Sequence, residues 1–260
     1  MTDVYFEILS PLPLNRHQDA RKLFQIWAEN AFRFFPDRSG LYEPLRHPFS
    51  LSSLEEAIRT WEFTFLVKRR ASPKLEASIF MQYGPHRAHS DWTIGLKKVK
   101  DFEQAPFSKM LECAAAEFSA DFGLIHRITE TDMLRGLASG TTGYLDTART
   151  EKHLYVASRV LKRFVPDIYW MTVFGKPYVQ LFSRERLLSC PAHLVRELDN
   201  GSIIVQLTPE LKDTAAEEAA FERARQDARN HLNNDAFFDP IKGPDYKYRV
   251  PEFSWGPILH

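Results

Sequence analysis

The chain has 260 residues and carries 34 basic against 34 acidic side chains, a formal net charge of zero. That balance supplies no long-range field toward nucleic acid or anionic lipid, and a chain this long buries a core that needs neither metal nor disulfide support. Two cysteines, Cys113 and Cys190, do not make a disulfide framework and read as reduced, structural thiols.

The first residues carry Asp3 and Glu7 and lack the basic and apolar regions of a signal peptide. No stretch approaches the length of a membrane span, so a cytoplasmic location is expected. Val4 to Leu9 reads as a strand closed by Pro11 and Pro13. Arg16 to Phe35 places Ala20, Leu23, Phe24, Trp27, Ala28, Ala31 and Phe35 on one helical face, and Pro36 stops it. Ser52 stands three residues before Glu55, a capping-box spacing that opens a short helix from Leu54 to about Thr60.

Three alternating segments follow, around Trp61–Val67, Leu75–Tyr83 and Trp92–Leu96. Period-2 alternation means one buried and one wet face, the pattern of an antiparallel meander. Pro106 to Ala120 reads as a helix and Phe122 to Ile128 as a strand. Glu151 to Phe164 reads as a helix stopped by Pro166, and Ile168 to Phe174 as a strand apolar on both faces, hence central. Pro177 to Leu188 is expected to form one or two short turns.

Leu194 to Leu207 contains Asn200-Gly201 between two strand-like halves, which predicts a hairpin with a type I′ turn. Thr214 to Leu232 predicts one long helix with Phe221, Ala224, Ala228 and Leu232 inward. The whole reads as an α+β fold, mainly antiparallel sheet with several packed helices, over one domain, 1–260. If there are two lobes, the break falls near 135–150.

Few residues carry chemistry. His86, His89 and Asp91 fall within six positions, and neutral imidazoles with a carboxylate suit Zn²⁺ or non-haem iron. A third ligand would have to come from elsewhere, such as His126 or His153. The plainer reading is polar residues tipping a hairpin. Gly140-Thr141-Thr142-Gly143 lacks the Lys-Ser/Thr ending of a phosphate loop and reads as a connector. Cys190 precedes Pro191 with no basic helix start nearby, which does not make a nucleophile. Glu55-Glu56 and Glu217-Glu218 suit helix starts, and Lys68-Arg69-Arg70 and Lys97-Lys98 read as edge protection at strand ends. No catalytic residue, metal or cofactor is expected.

The C-terminal stretch sets Phe237, Phe238, Tyr246, Tyr248, Phe253 and Trp255 among four prolines without periodicity. It reads as a strap packed on the core. The sharper alternative puts Tyr246, Tyr248, Phe253 and Trp255 on a partner surface, since Tyr and Trp are enriched at binding hot spots.

The segments Phe118–Ile128, Ile168–Ala192 and Val195–Thr208 together resemble immunity proteins of bacterial polymorphic-toxin and type VI secretion systems, near the immunity protein 52 group. The resemblance implies a non-enzymatic protein that binds a cognate toxin domain and blocks it, and occlusion of the toxin's active site is the leading expectation. It transfers no site residues, because the shared positions are core strands and turns. The balanced charge leaves no nucleic acid or membrane expected as a partner. The rival expectation is a metal-dependent hydrolase using His86, His89 and Asp91.

Overall fold

Strand β1 (Thr2–Ser10) pairs antiparallel with one neighbour on each side, and Val4 to Leu9 are buried without interruption, so both faces are covered here. Around it the computed structural model of the chain describes residues 2–81, 88–97, 99, 102–134, 154 and 156–255. In chain order β1 is followed by α1 (His17–Ala31), β2 (Arg38–Gly40), β3 (His47–Pro48), α2 (Leu54–Thr60), β4 (Thr64–Arg69), β5 (Lys74–Phe80) and β6 (Ser90–Lys97). Next come α3 (Gln104–Glu117), β7 (Phe122–Arg127), α4 (Glu130–Leu134), α5 (Ser158–Leu161) and β8 (Met171–Phe174). Then follow α6 (Lys176–Phe182), α7 (Arg184–Leu188), β9 (Leu194–Glu197), β10 (Ile203–Gln206), α8 (Asp213–Ala216) and α9 (Glu218–Leu232).

The ten strands of the described residues form one sheet, in the order β3-β2-β4-β5-β6-β1-β7-β8-β10-β9. Every pairing is antiparallel. With the helices packed on it, this is the expected α+β fold.

The helices cover different faces on the two halves of the sheet. Phe6, Trp92 and Phe65 point to one face, where Trp92 meets Trp27 of α1, Phe65 meets Phe24 and Phe6 meets Phe107 of α3. These are aromatic edge-to-face and tilted contacts, each worth about 0.5–1.5 kcal/mol beyond burial. On the other face Tyr178 of α6 lies against Phe122 and Phe174, and Phe221 of α9 stacks on His126 at 5.7 Å. Gly175 joins β8 to α6 at a close crossing. An added Cβ there would stand 2.1 Å from the Ala120 carbonyl oxygen.

Several local expectations are corrected. The capping box belongs to Ser50 and Ser53 of the 3₁₀ turn before α2, not to Ser52 and Glu55, because Glu55 is held by Arg21. The hairpin turn is not type I′. Of Asn200 and Gly201 only Gly201 takes positive φ, at 80°. Asn200 instead donates its amide to the Ala115 carbonyl at the end of α3 and ties the hairpin to that helix. The helix expected over Thr214–Leu232 is broken at Glu217, and its buried stripe includes Arg225 and Arg229 while Ala224 is only half-buried.

Of the helix expected over Glu151–Phe164, only the single turn of α5 is helical among the described residues, and 151–153 and 155 lie outside them. So do the suggested lobe boundary at 135–150 and Gly140–Gly143. Lys68-Arg69-Arg70 and Lys97 end interior strands, since the sheet edges are β3 and β9. Cys190 is buried, whereas Cys113 is half-buried on α3.

Candidate functional site

On β4, β5 and β6 the burial alternates with the pleat. Phe65, Val67, Leu75, Ala77, Ile79, Trp92 and Ile94 are buried under α1 and its neighbours. The opposite face is open among the described residues. There Phe80 is 46 % exposed, Glu76 is exposed, and Thr64, Leu66, Lys68, Ser78, Asp91 and Thr93 are half-buried. A one-sided antiparallel sheet ordinarily presents polar residues to water in this way.

Two features depart from that plain pattern. The open face ends at β6, but its cross-strand row Leu66-Ser78-Thr93 runs on under cover into Glu7 of β1, then Leu124 and Thr172. Glu7 is thereby a carboxyl in the middle of a ten-stranded sheet, 2 % exposed, with Oε2 buried and without a hydrogen-bond partner. Burial pushes the Glu7 carboxyl well above the usual carboxylate range, and Asp91 pushes it further. Asp91, on the same face of β6, is raised by burial to about 7 even though the Thr93 hydroxyl donates to it.

The second feature is the wall beside this floor. Tyr169 lies against Phe122 at 6.3 Å and His126 at 5.3 Å, the two residues that flank Leu124 on β7. Its hydroxyl is buried and makes no hydrogen bond. Behind it stands a charged network. Asp132 accepts from the Thr129 backbone and hydroxyl and lies 2.7 Å from His126 Nε2. The Trp170 backbone N–H donates to His126 Nδ1, which places the ring proton on Nε2, toward Asp132. Arg225, fully buried on α9, reaches Asp132 at 2.8 Å, Glu222 at 3.0 Å and Asp167 at 3.5 Å.

The residues singled out by sequence are dispersed. His86 and His153 lie outside the described residues. His89 is buried with both ring nitrogens taken, Nδ1 by the Ser158 hydroxyl at 2.8 Å and Nε2 by Asp121 at 3.1 Å. Asp91 sits in strand β6 rather than on a hairpin tip. No group of three or more His, Cys, Asp or Glu side chains is arranged to hold a metal among the described residues. His126 belongs to the Asp132–Arg225 network.

Ser158, His89 and Asp121 have the residue types of a hydrolytic triad but not its wiring. The serine faces Nδ1 rather than Nε2, its Oγ also accepts the His89 backbone N–H at 2.7 Å, and all three side chains are buried. The trio pins the start of β6 to α5. Burial lowers the His89 pKa and Asp121 opposes that shift.

The strap divides. Tyr248 is buried against Phe164 and Phe238, and its hydroxyl bonds to Asp239 and Gly243. Tyr246 is exposed and touches Lys242 and Tyr248. Phe253 and Trp255 are half-buried, each with its ring less than 5 Å from His89, at 4.8 and 4.7 Å, two residues from Asp91.

Sequence reading missed Glu7, Tyr169, Asp132 and Arg225. The signal for Glu7 was present, since Tyr5 and Leu9 share its face and mark that face as covered. For Arg225 the signal was its spacing, four residues from Phe221 and Arg229 on one stripe.

No family model matches the chain, and no curated protein does. Among solved structures the chain is similar to the Pseudomonas aeruginosa T6SS protein PA0821, at 12 % identity and a TM-score of 0.52, covering 97 % of this chain and 79 % of that one. That likeness shows a shared fold. No helix among the described residues is long and apolar enough to cross a membrane.

Proposed function

We propose that the protein is a T6SS-associated binding protein of the immunity type, which binds a cognate toxin domain and occludes its active site. The observation that carries this reading is the open face of β4, β5 and β6. A sheet face with exposed Phe80 at its margin, and half-buried Phe253 and Trp255 near Asp91, offers the mixture of aromatic anchors and polar groups that interfaces use. The fold shared with a T6SS protein and the resemblance to the immunity protein 52 group support the same reading. Tyr246 is exposed, whereas Tyr248 faces inward.

The test is capture and neutralisation. Tagged protein is used to pull partners from lysate of its own source, and the captured toxin domain is assayed with and without it. A stoichiometric complex in which the toxin loses activity is expected. A toxin that stays fully active in the complex, or no toxin domain among the captured chains, overturns the proposal.

A further inference from the structure

We propose that the Glu7 and Asp91 carboxyls, together with the Tyr169 hydroxyl, form a receptor for a nitrogen cation, the ammonium of a lysine or the guanidinium of an arginine presented by the bound partner. The partner half of this proposal rests on the binding reading above, while the affinity for the cation itself does not.

The register sets the geometry. Glu7 stands opposite Thr93 and Asp91 opposite Leu9, so the two carboxyls occupy diagonal positions on one face of neighbouring strands. Such positions lie about 7–8 Å apart at the backbone, within reach of one bridging group. Tyr169 lies over the next strand between Phe122 and His126, beside the row that contains Glu7. Glu7 is close enough to feel both other groups electrostatically, and two of the three oxygens, Glu7 Oε2 and the Tyr169 hydroxyl, are buried without a hydrogen bond. An unsatisfied buried polar atom costs about 1–3 kcal/mol. Two in one place, beside a second carboxyl, mark a position where a ligand with several N–H donors recovers the loss.

Among the described residues, Arg225 behind Tyr169 is bound to Asp132 and Glu222, and Lys97 on the same strand as Asp91 is bound to Glu76. Access lies on the β5 side, where Asp91 and Thr93 are half-buried and Phe80 is exposed. The aliphatic stem of a lysine or arginine would lie beside Phe80, the β5 residue opposite Asp91, while its head reaches the carboxyls. Burial holds both carboxyls toward the protonated form, so the cation enters as they lose protons. The titratable groups around them are Tyr169, with His126, Asp167, Asp132 and Arg225 behind it, and, beside Asp91, His89 with its partner Asp121.

The test titrates n-butylammonium and ethylguanidinium, the two side-chain heads, into the full chain and follows the backbone amide resonances of Glu7, Asp91 and Thr93. A saturable shift is expected, at least about tenfold tighter at pH 8 than at pH 5.5, in line with one proton displaced. Tetramethylammonium, which has no N–H, should not produce it. The shape-conserving double variant Glu7→Gln/Asp91→Asn should stay folded by its spectrum and lose the response, and Tyr169→Phe should weaken it. No saturable shift, an equal response to tetramethylammonium, or an unchanged response in the double variant would overturn the receptor. The tighter of the two probes identifies the head. With a captured toxin, a loss of affinity of about tenfold or more in the double variant supports the partner half, and an unchanged affinity overturns it while leaving the binding reading intact.

Discussion

Asp132 and Arg225 stand 93 residues apart in sequence and meet at 2.8 Å with neither side chain exposed to solvent. The contact joins α4 to α9 beside His126 near the end of β7, and it is the centre on which Glu222, Asp167 and His126 converge. Burial raises the Asp132 carboxyl, but His126, Arg225 and the Thr129 backbone outweigh it and hold it far below its ordinary range. Taking one partner from such a pair leaves an uncompensated buried charge, which typically costs about 3–5 kcal/mol.

Asp132→Asn is therefore expected to lower unfolding stability by about 3–5 kcal/mol at pH 7, read from urea melts. The sign with pH follows from the depressed carboxyl. Its contribution is present above the unfolded value near pH 4 and is lost as pH falls toward the folded one. The gap between wild type and variant should narrow at pH 3. A gap that stays constant between pH 7 and pH 3 would show that Asp132 contributes by shape rather than by charge.

The strap separates into structural and surface tyrosines. Tyr248→Ala removes a buried ring and the hydrogen bonds to Asp239 and Gly243, with an expected loss of about 3–4 kcal/mol. Tyr246→Ala should stay within about 0.5 kcal/mol of wild type, since its contacts are at the surface. Thermal melts of the two variants side by side decide it. Equal losses would mean that the strap packs as one unit.

Much of the fold was legible because antiparallel strands with one wet face write their burial into the sequence. Leu75, Ala77 and Ile79 alternate with Glu76 and Ser78, and the structure keeps that alternation. The hairpin at Asn200-Gly201 was also legible, although its turn type was not, because Asn200 is recruited by α3, eighty-five residues away. Glu7 and Arg225 were legible only as members of local stripes, Glu7 between Tyr5 and Leu9 and Arg225 four residues from Phe221. The groups each of them meets lie on elements distant in sequence, which no local period records. His89 and Asp91 suggested a metal by proximity along the chain, yet His89 is turned to Ser158 and Asp121, partners 69 and 32 residues away.

Gly175 should tolerate no side chain. Its φ of −78° suits any residue, so the constraint is space alone. A Cβ would fall 2.1 Å from the Ala120 oxygen and 2.7 Å from Asp121 Cα, both backbone atoms that cannot rotate away. Gly175→Ala must push β8 off β7, with an expected loss of about 3 kcal/mol or failure to fold. Gly201→Asn is the control, because its αL position has open space around it, and it should cost about 1 kcal/mol or less. If Gly175→Ala melted like wild type, the crossing of β8 and α6 would have to be looser than the contact implies.

Asp91 makes stability fall as pH rises. Its folded carboxyl is raised to about 7 by burial, while in the unfolded chain it titrates near the ordinary value of about 4. Below pH 4 both states hold the proton and the group is neutral in its effect. Between pH 4 and 7 the unfolded chain releases the proton first, so unfolding becomes progressively easier, and above 7 the loss is complete. Asp91→Asn keeps an oxygen for the Thr93 hydroxyl and removes the titration. The variant should match wild type at pH 4 and exceed it by about 1–2 kcal/mol at pH 8, allowing for the half-buried position. Guanidinium would itself occupy a cation receptor, so urea is the denaturant for this comparison. Adding n-butylammonium at pH 8 should then narrow the difference by stabilising the wild type alone, because the occupied carboxyls keep their charge at no loss of stability. A wild type that instead gains stability from pH 4 to 8 relative to the variant would mean that the Asp91 carboxylate already has a cation within the folded chain.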